Sequence, residues 1–592
     1  MKTLIVSLNS KYIHSSLAAW YLKAYCEDCC DDVKVLESTI NDSPDSVLSD
    51  IYLEKADVVG FSCYIWNIEA VLKLAGNLKK VSPDVRIVLG GPEVSFDAKK
   101  MMEENGFIDF IISGEGEIPF RKLLEQLASG VWKPDEIDGL TYRDSARIIS
   151  NKPGSWIENL DSIPSPYTDE MLDAVGKRIM YFEASRGCPF SCAYCLSSTF
   201  EGVRNFSMER VKEDLKKLMK AGVKLVKFVD RTFNCNRKRA KEIFRFIIKE
   251  SEDTVFHFEA AADLFDDEMI EILSQAPPGR IQFEIGVQTT NAVTLELIDR
   301  KTNLDIVFDN VRKLRALGNI HIHLDLIAGL PKEDFRSFMY SFDDVYRLKP
   351  HQLQLGFLKM LKGSGIRQNA GKYGYGYRDY PPYEVLYSDS MSFDEILVLK
   401  GIEDLVDRYY NSGRFQVSLE YLTETCYSSP FSFYWEFYNF CRDEGYAGKA
   451  LSGRDTYTVL LEFLRKVLPQ EKVELLKDLM KLDYLSSDNS NNLPEGIERE
   501  IQPGFKERCF EFLKDEGNLK KYLPELFDMP AKQIYKQVHF ETFRHDVVQG
   551  IYTGSFERKR TIVLFKYYER DRVTGQYRYI RCDEDFPFEG YM

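Results

Sequence analysis

The chain has 592 residues, of which 44% are hydrophobic and 29% are charged, and its net charge is −15. That length predicts about three to four domains of ordinary globular composition. The acidic balance argues against a nucleic-acid substrate, and no apolar run reaches the ~20 residues that cross a bilayer. The apolar stretch that starts the chain is too short for a signal peptide and is typical of a first β-strand. We therefore expect a cytoplasmic protein with no membrane partner.

Residues 1–135 alternate short apolar strands with helical patterns, which predicts a doubly wound parallel sheet. The predicted strands are Thr3–Leu8, Val33–Leu36, Asp57–Ser62, Val85–Leu89 and Phe107–Ile112. Such sheets bind ligands outside the carboxyl ends of their strands, where glycines let the backbone approach a large cofactor. The candidate cofactor-binding residues at these ends are Ser10, Ser62, Asn67, Gly90, Gly91, Glu93, Gly114 and Glu115.

The motifs of this first region, in chain order, are VVGFSCYIWN, VLGGPEVS and IISGEGE. No G-x-G-x-x-G follows the first strand, which argues against a nicotinamide dinucleotide. The three motifs resemble the Rossmann-like cobalamin-binding domain, and this resemblance implies a corrinoid cofactor. The corrinoid pattern D-x-H-x-x-G is not reproduced, because His14 lies in NSKYIHSS without the Asp and the Gly. His14 is therefore not assigned as a cobalt ligand, and a flavodoxin-like sheet without corrinoid is the alternative.

Residues 136–177 are rich in proline and glycine, including Pro153, Gly154 and Pro164. This composition predicts a linker over the surface, with a short hairpin around Gly139–Ile149.

The stretch Tyr181–Ser198 reads YFEASRGCPFSCAYCLSS and places Cys188, Cys192 and Cys195 in the spacing C-x3-C-x2-C. An apolar run, Ile179–Phe182, precedes it, so the cysteines are predicted on a loop after a strand. Structural zinc takes four protein ligands, usually as two separated pairs. An iron–sulfur cubane normally takes four thiolates. Three clustered thiols therefore favour a cubane with one iron open to another ligand.

At these residues the chain resembles the radical SAM superfamily, whose signature includes an aromatic before the third cysteine, here Tyr194. The resemblance implies a [4Fe–4S] cluster whose open iron binds S-adenosylmethionine. It also implies an external one-electron reductant of the flavodoxin or ferredoxin type, and cleavage of the sulfonium to a 5′-deoxyadenosyl radical. An electron-transfer cluster or a zinc knuckle is the alternative.

Residues 178–365 alternate strands and helices again, and six βα units predict a partial (β/α)6 barrel. The predicted strands are Ile179–Phe182, Leu225–Val229, Val255–Ala260, Ile281–Val287, Ile320–Ile327 and Leu353–Leu358. The resemblance implies cofactor contacts to methionine after the second strand, to ribose after the fourth and to adenine after the fifth. The candidate residues are Tyr194, Asp230, Arg231, Glu284, Gln288 and Asp325. For each of them, an interior polar group satisfied by its neighbours is the alternative.

His321 and His323 alternate along the fifth barrel strand and so share a face. Because no third ligand is evident beside them, we predict packing on the strand face rather than a metal site.

Residues 366–592 change in pattern to a Tyr-rich loop, Tyr373–Tyr383, followed by helical stretches and a terminal hairpin. The helical stretches are Phe393–Tyr410, Tyr457–Val467 and Glu471–Leu482, and the hairpin strands are Thr561–Tyr568 and Gln576–Arg581. This region resembles the C-terminal extension, of unknown function, in a subgroup of cobalamin-dependent radical SAM proteins.

The sequence thus predicts an α/β protein with a doubly wound cobalamin-binding domain, a partial radical SAM barrel and a mainly helical extension. The predicted activity is cobalamin-dependent radical SAM methyl transfer to an unactivated centre of a small molecule or peptide. A rearrangement or cyclisation without methylation, or a non-catalytic corrinoid carrier or redox sensor, is the alternative. No individual catalytic residue is assigned.

Overall fold

The computed structural model describes residues 1–30, 32–145, 147–154, 156–199, 202–490, 492–500 and 502–587. Within them lie two α/β regions, each built on a mainly or wholly parallel sheet, and a mainly helical C-terminal region. The predicted fold class is confirmed. No helix in the described ranges combines the length and apolar character needed to cross a membrane.

The first sheet has seven strands in the order β2-β1-β3-β4-β5-β6-β7. The strands are β1 (Lys2–Asn9), β2 (Asp32–Thr39), β3 (Val58–Ser62), β4 (Arg86–Gly90), β5 (Phe110–Ile112), β6 (Leu140–Asp144) and β7 (Arg147–Ser150). β1 to β5 pair in parallel, and β6 and β7 add an antiparallel hairpin to the edge. β3 is buried along its whole length, as expected for a sheet covered on both faces. The helices around it are Leu17–Cys26, Pro44–Leu53, Ile68–Val81, Pro92–Ser95, Ala98–Glu104 and Glu117–Ser129.

Residues 136–177, predicted as a surface linker, are built into both neighbouring regions. The predicted hairpin forms β6 and β7 of the first sheet. Leu160, Ile163 and Met171 are fully buried in the core of the second region, and a helix runs over Asp169–Val175.

The second sheet has six parallel strands, and it is the predicted partial barrel. Its strands are β8 (Met180–Phe182), β11 (Leu225–Phe228), β12 (Val255–Glu259), β13 (Ile281–Gln288), β14 (His321–Ala328) and β15 (Gln352–Phe357), and a small ribbon pairs β9 (Ser185–Gly187) with β10 (Val203–Asn205). Burial alternates along β13, with Phe283 and Ile285 against the helices and Glu284 on the inner face. The helices are Met208–Lys220, Arg237–Glu250, Asp267–Ser274, Ala292–Leu297, Leu304–Ala316, Phe335–Tyr346 and Gly365–Gln368.

The helices between Phe393 and Ser487 pack onto the barrel in one continuous core, whereas those between Phe505 and Ile534 form a separate small core against the terminal strands. Asn411 caps the edge of β15, because its side chain bonds both the amide and the carbonyl of Leu353, each at 2.8 Å. The helices are Phe393–Leu405, Gln416–Tyr421, Pro430–Asp443, Asp455–Val467, Gln470–Ser487, Phe505–Phe512, Glu516–Tyr522, Ala531–Ile534 and Val547–Thr553.

Two short strands, β16 (Gly376–Tyr377) and β17 (Val385–Tyr387), form within and after the Tyr-rich loop. The predicted terminal hairpin is present as β19 (Thr561–Arg570) and β20 (Tyr577–Arg581). The sequence analysis missed β18 (Val538–Phe543), which completes a three-stranded sheet.

Candidate active site

The three cysteines of the C-x3-C-x2-C motif lie on the irregular segment between β9 and β10. The amide of Cys195 donates to the carbonyl of Cys192 at 3.0 Å, which closes a turn around Ala193. Ala193 is tied to the barrel on both sides, because its amide donates to Ile298 and its carbonyl accepts from Ile366. The chain therefore holds the cysteine loop over the barrel mouth.

Arg300 is a residue that the sequence analysis missed, and it joins the cysteine loop to β13. Its guanidinium lies 3.7 Å from Sγ of Cys192 and 3.1 Å from Oη of Tyr194, and it also donates to the carbonyl of Gly286. Burial raises the pKa of the Cys192 thiol, whereas the Arg300 charge lowers it. The nearby positive charge thus favours the thiolate that a metal cluster requires. The sequence feature that could have identified Arg300 is its position shortly after the fourth barrel strand, within reach of that strand's carboxyl end.

Asp230 follows β11, as predicted, but the chain itself occupies both of its carboxylate oxygens. Oδ2 accepts from the amide of Ala184 at 3.0 Å, and Oδ1 accepts from the hydroxyl of Ser185. Burial raises the pKa of Asp230 to about 6, against the effect of these bonds. The observed contacts hold the segment that leads to the cysteines. Arg231, the next residue, is exposed at the barrel mouth.

Glu284 and Asp325 lie inside their strands and not beyond them, which corrects their predicted placement. β13 continues to Gln288, and β14 continues to Ala328, because apolar residues keep alternating onto the buried face. Gly286 pairs with Asp325, and the register of β13 then shifts before Gln288. Gln288 therefore marks the carboxyl end, with a positive φ of 74°. Its buried Oε1 has no hydrogen-bond partner among the described residues.

The inner face of the barrel is strongly polar below this mouth. Glu284 lies beside His323 in the strand register, and its carboxylate contacts Nε2 of His257 at 2.9 Å and Nζ of Lys227 at 3.1 Å. The hydrogen bond from His257 is the main reason that the pKa of Glu284 falls to about 2. Burial instead raises the pKa of Asp325 well above its usual value.

His321 and His323 have different surroundings although they share a strand face. The His321 ring stacks on His351 with ring centroids 4.9 Å apart, so this residue packs as predicted. His323 lies with Glu284 and Asp325 in a group whose ligand atoms are all within 4.8 Å of one another. The expectation that no third ligand is near His323 is therefore wrong.

Five of the predicted residues at the first sheet's carboxyl edge line it with little side chain: Ser10, Ser62, Gly90, Gly91 and Gly114. A Cβ on Gly91 would press on the Cys63 backbone, and its φ is +113°. A Cβ on Gly114 would enter open space, at a φ of +90°. The edge thus offers open backbone to a ligand at Gly114.

The other three predicted residues of this edge are engaged by the protein, which corrects their expected exposure to a cofactor. Asn67 is fully buried and bonds the backbone of Tyr64, Leu8 and Ser62. Glu93, 3% exposed, accepts a hydrogen bond from Tyr383 at 2.8 Å.

The carboxylate of Glu115 accepts hydrogen bonds from both terminal guanidinium nitrogens of Arg204, at 2.6 and 3.0 Å, although the two residues are 89 positions apart in the sequence. Arg186 on β9 donates to Glu117 of the first region at 2.6 Å and to Glu183 at 2.9 Å. Together these contacts form an ion-pair network that fixes the first region beside the β9–β10 ribbon and the cysteine loop between its strands, which we call the cysteine ribbon. Sequence reasoning missed it because the partners are distant along the chain.

His14 lies between the two sheets, with Nδ1 2.8 Å from Oη of Tyr181 on β8. Burial lowers its pKa. The hydrogen bond thus engages Nδ1 of the ring with the first strand of the barrel.

The side chains present fit the predicted cofactors. Three thiols on one irregular loop, with a guanidinium beside Cys192, suit an iron–sulfur cluster. The unpartnered Oε1 of Gln288 and Nε of Arg300 are buried polar atoms at the barrel mouth that a polar cofactor would satisfy. The open backbone at Gly114 suits a bulky group.

Three family models match consecutive parts of the chain. Residues 3–124 match the B12 binding domain, residues 182–345 match the Radical SAM superfamily, and residues 371–565 match a protein family of unknown function, DUF4080. The predicted class, a radical SAM enzyme with a cobalamin-binding domain, is confirmed at the level of its domains. The predicted cofactors are those that these two domains define.

Curated relatives carry related names. An uncharacterized methyltransferase of Pyrococcus horikoshii is 29% identical over 51% of this chain and 67% of its own length. The 2-(S-pantetheinyl)-carbapenam-3-carboxylate methyltransferase of Streptantibioticus cattleyicolor is 27% identical over 64% of this chain and 58% of its own length. The cobalamin-dependent radical SAM methyltransferase TokK of Streptomyces tokunonensis is 25% identical over 73% of this chain and 66% of its own length. The chain thus spans 58% to 67% of the length of these relatives.

Two solved structures share the fold. The cobalamin-dependent S-adenosylmethionine radical enzyme OxsB, with aqua-cobalamin and S-adenosylmethionine bound, superposes with a TM-score of 0.56 at 15% identity, over 89% of this chain and 84% of that chain. The radical S-adenosylmethionine methyltransferase TsrM from Kitasatospora setae has cobalamin and a [4Fe–4S] cluster bound. It superposes with a TM-score of 0.53 at 17% identity, over 65% of this chain and 79% of that chain.

Proposed function

We propose that this protein is a cobalamin-dependent radical SAM methyltransferase. The single observation that carries the proposal is the juxtaposition of the cysteine ribbon with the carboxyl edge of the first sheet, through Glu115, Glu117, Arg186 and Arg204. Such fixed proximity is what a reaction shared between two cofactors needs. The names of the relatives favour methyl transfer, and the substrate is proposed to be a small molecule or peptide.

The proposed roles follow from the contacts. Cys188, Cys192 and Cys195 would hold the cluster as thiolates, and the Arg300 charge would stabilise the thiolate of Cys192. Tyr194, Arg231 and Gln288 remain the candidates for contacting S-adenosylmethionine. When bound, the cofactors supply one-electron chemistry and a methyl group for transfer. The barrel and the first sheet supply orientation and exclude water.

For the first sheet, we propose that Gly90 and Gly114 let a corrinoid approach the backbone, while Gly91 keeps the edge compact by making room for the Cys63 backbone. Ser10 and Ser62 border the same edge. For the domain organisation, we propose a cobalamin-binding domain over 1–135, a connector over 136–177, a radical SAM barrel over 178–365 and an extension over 366–592. The cluster would be reduced by an external flavodoxin or ferredoxin, in a cytoplasmic setting.

A second candidate is a radical SAM reaction without methylation. One relative, 26% identical over 53% of this chain, is named as an anaerobic magnesium-protoporphyrin IX monomethyl ester cyclase of Rubrivivax gelatinosus. A cyclase would use the same domains and cofactors. The two candidates differ in whether S-adenosylhomocysteine forms, because methyl transfer consumes the methyl group of S-adenosylmethionine.

The test is anaerobic reconstitution of the full chain with iron, sulfide and hydroxocobalamin, followed by desalting. Iron and corrinoid are then measured, and 5′-deoxyadenosine and S-adenosylhomocysteine are quantified after adding reductant and S-adenosylmethionine. The triple variant Cys188→Ala, Cys192→Ala, Cys195→Ala should lose the cluster and both products but keep corrinoid. Cys235→Ala, a nearby cysteine outside the motif, is the matched control and should behave as wild type.

Two results would count against the proposal. A cluster without retained corrinoid would remove the cobalamin part. Corrinoid retention with 5′-deoxyadenosine but no S-adenosylhomocysteine would favour the cyclase type of reaction.

A further inference from the structure

The inner face of the barrel holds a group of potential metal ligands that the proposed methyl transfer does not use. Glu284, His323 and Asp325 each offer one ligand atom, and these three atoms all lie within 4.8 Å of one another. Glu284 and His323 are direct neighbours in the register of β13 and β14, and Asp325 stands two residues further along the same face of β14. Nε2 of His323 is 3.2 Å from Oδ1 of Asp325.

Two of these atoms are buried without a hydrogen bond. His323 is only 8% exposed, and both its Nε2 and Oδ1 of Asp325 have no hydrogen-bond partner within the part of the chain that is described. Their separation is short, but the angles do not make a hydrogen bond. Buried imidazole and carboxylate atoms left unpaired are costly unless something else satisfies them. Both atoms belong to one small cluster, and a single cation between them would satisfy both.

The surroundings support and orient such ligands. The carboxylate of Glu284 keeps its contacts to Nε2 of His257 and Nζ of Lys227, both on Oε2. Second contacts of this kind fix the orientation of metal-ligating side chains in known sites. The carboxylate of Asp325 has no lysine or arginine within ion-pair distance among the described residues, so a divalent cation would supply the charge it lacks.

We propose that Glu284, His323 and Asp325 form a binding site for a divalent transition-metal cation inside the barrel. One imidazole and two carboxylates suit Zn²⁺, Fe²⁺ or Mn²⁺ better than a soft, thiolate-loving ion. Three protein ligands leave at least one position open, as in catalytic zinc sites. An anionic group of a substrate, such as a carboxylate or a phosphonate, is the chemistry that this open position would take.

The site is built from side chains of β13 and β14 below the mouth of the barrel, and it includes none of the three cysteines of the motif. Asp325 is three residues before the end of β14, which is about 10 Å along the strand. The site therefore needs neither cluster nor corrinoid, and metal binding there is measured without turnover. If the protein transferred no methyl group, the proposed metal site would be unaffected. If no metal bound at this site, the proposed methyl transfer would be unaffected.

The experiment is equilibrium dialysis of the reconstituted full chain against Zn²⁺, with zinc and iron counted separately by mass spectrometry. The variants are His323→Gln and Asp325→Asn, which nearly preserve side-chain shape. The matched control is His321→Gln, two residues earlier on the same strand face but stacked on His351. Wild type and His321→Gln should each bind one zinc ion at this site. In His323→Gln and Asp325→Asn the Kd for that ion should be at least ten-fold higher.

Cobalt(II) gives the second measurement. Cys26 and Cys29, two neighbouring cysteines of the first region that form no disulfide, could also bind a metal ion. Binding at such thiols produces a thiolate charge-transfer band, whereas binding at this site does not. Thermal melts without metal check that each variant is folded, and if Asp325→Asn is not, His323→Gln decides the outcome alone. Equal zinc content in His323→Gln and His321→Gln would overturn the proposal. So would a thiolate band as the only cobalt signal.

Discussion

The guanidinium of Arg300 lies 3.7 Å from Sγ of Cys192, although the two residues are 108 positions apart. The same group reaches Oη of Tyr194 and the carbonyl of Gly286. One side chain thus links the cysteine loop to the strand whose end forms the barrel mouth. Its charge opposes the effect of burial on the Cys192 thiol.

Replacing Arg300 by Met should make the cluster more labile. The Arg300 charge lowers the pKa of the Cys192 thiol, so its loss would make the thiolate less stable and the cluster easier to dissociate. We expect about ten-fold faster release of iron to a chelator from Arg300→Met after reconstitution. Arg312→Met, an exposed arginine beside Phe308, is the matched control and should release iron at the wild-type rate. Equal rates in all three proteins would contradict the role of this charge.

Gly187→Ala should prevent assembly of the cysteine ribbon. Gly187 has a φ of +97°, and a Cβ there would overlap the carbonyl oxygen of Gly202. Gly222→Ala provides the comparison, because its φ is +73° but nothing lies within 4 Å of an added Cβ. The control should lose only about 1 kcal/mol of stability, from backbone strain. Iron content after reconstitution is the measurement, and near-normal iron in Gly187→Ala would show that the ribbon tolerates displacement.

The carboxyl edge of the first sheet offers a test of corrinoid binding. A side chain at Gly114 would enter open space at a φ of +90°, on the face proposed to meet the corrinoid. Gly114→Ala should therefore retain less corrinoid after desalting, by an expected several-fold in Kd. Gly130→Ala is the matched control. Gly130 lies at a helix end with a left-handed φ of +72°, and no atom lies within 4 Å of an added Cβ, so this variant carries a similar backbone penalty away from the proposed site. Unchanged corrinoid retention in Gly114→Ala would place the corrinoid elsewhere.

Glu333 should make stability depend on pH near neutrality. It is fully buried, accepts from Thr289 and Ser341 through Oε1, and burial raises its pKa to about 7. A raised folded-state pKa means that its stabilisation is complete below the unfolded pKa of ~4.5 and is lost as pH rises through 7.

Glu333→Gln removes this ionisation. The melting temperature of wild type minus that of Glu333→Gln should fall between pH 6 and pH 8. Glu296→Gln, an exposed carboxylate, should show a constant difference over the same range. A constant difference for Glu333→Gln as well would mean that its folded pKa lies below this window.

Local patterns in the sequence were enough to predict the barrel. β11 was predicted over Leu225–Val229 and runs over Leu225–Phe228, because alternating burial and the following helix start are both encoded within a few residues. The cysteine motif is equally local. The ends of β13 and β14 were also predicted to within one residue, at Val287 and Ile327 against Gln288 and Ala328. What was wrong was the placement of Glu284 and Asp325 beyond these strands, because both lie inside them.

Residues that act through distant partners were not predictable in this way. Glu93 looks like a ligand-binding residue by its place after a glycine turn, yet its partner Tyr383 is 290 positions away. Asn67 is another example, because its side-chain amide donates hydrogen bonds to the backbone carbonyls of Leu8 and Ser62, near the ends of two neighbouring strands. β18 was missed because Glu541, buried in its middle and bonded to His539, interrupts the apolar pattern.

The contact between Glu93 and Tyr383 has a consequence for building chimaeras from related sequences. Lys362, at the end of the barrel, also donates to the Glu93 carbonyl at 3.2 Å and pairs with Asp97 at 3.0 Å. All three parts of the chain thus meet at one buried carboxylate. A graft that exchanged only the extension would leave Glu93 facing a foreign side chain. A transplantable unit must therefore carry Glu93, Lys362 and Tyr383 together, whichever substrate the donor recognises.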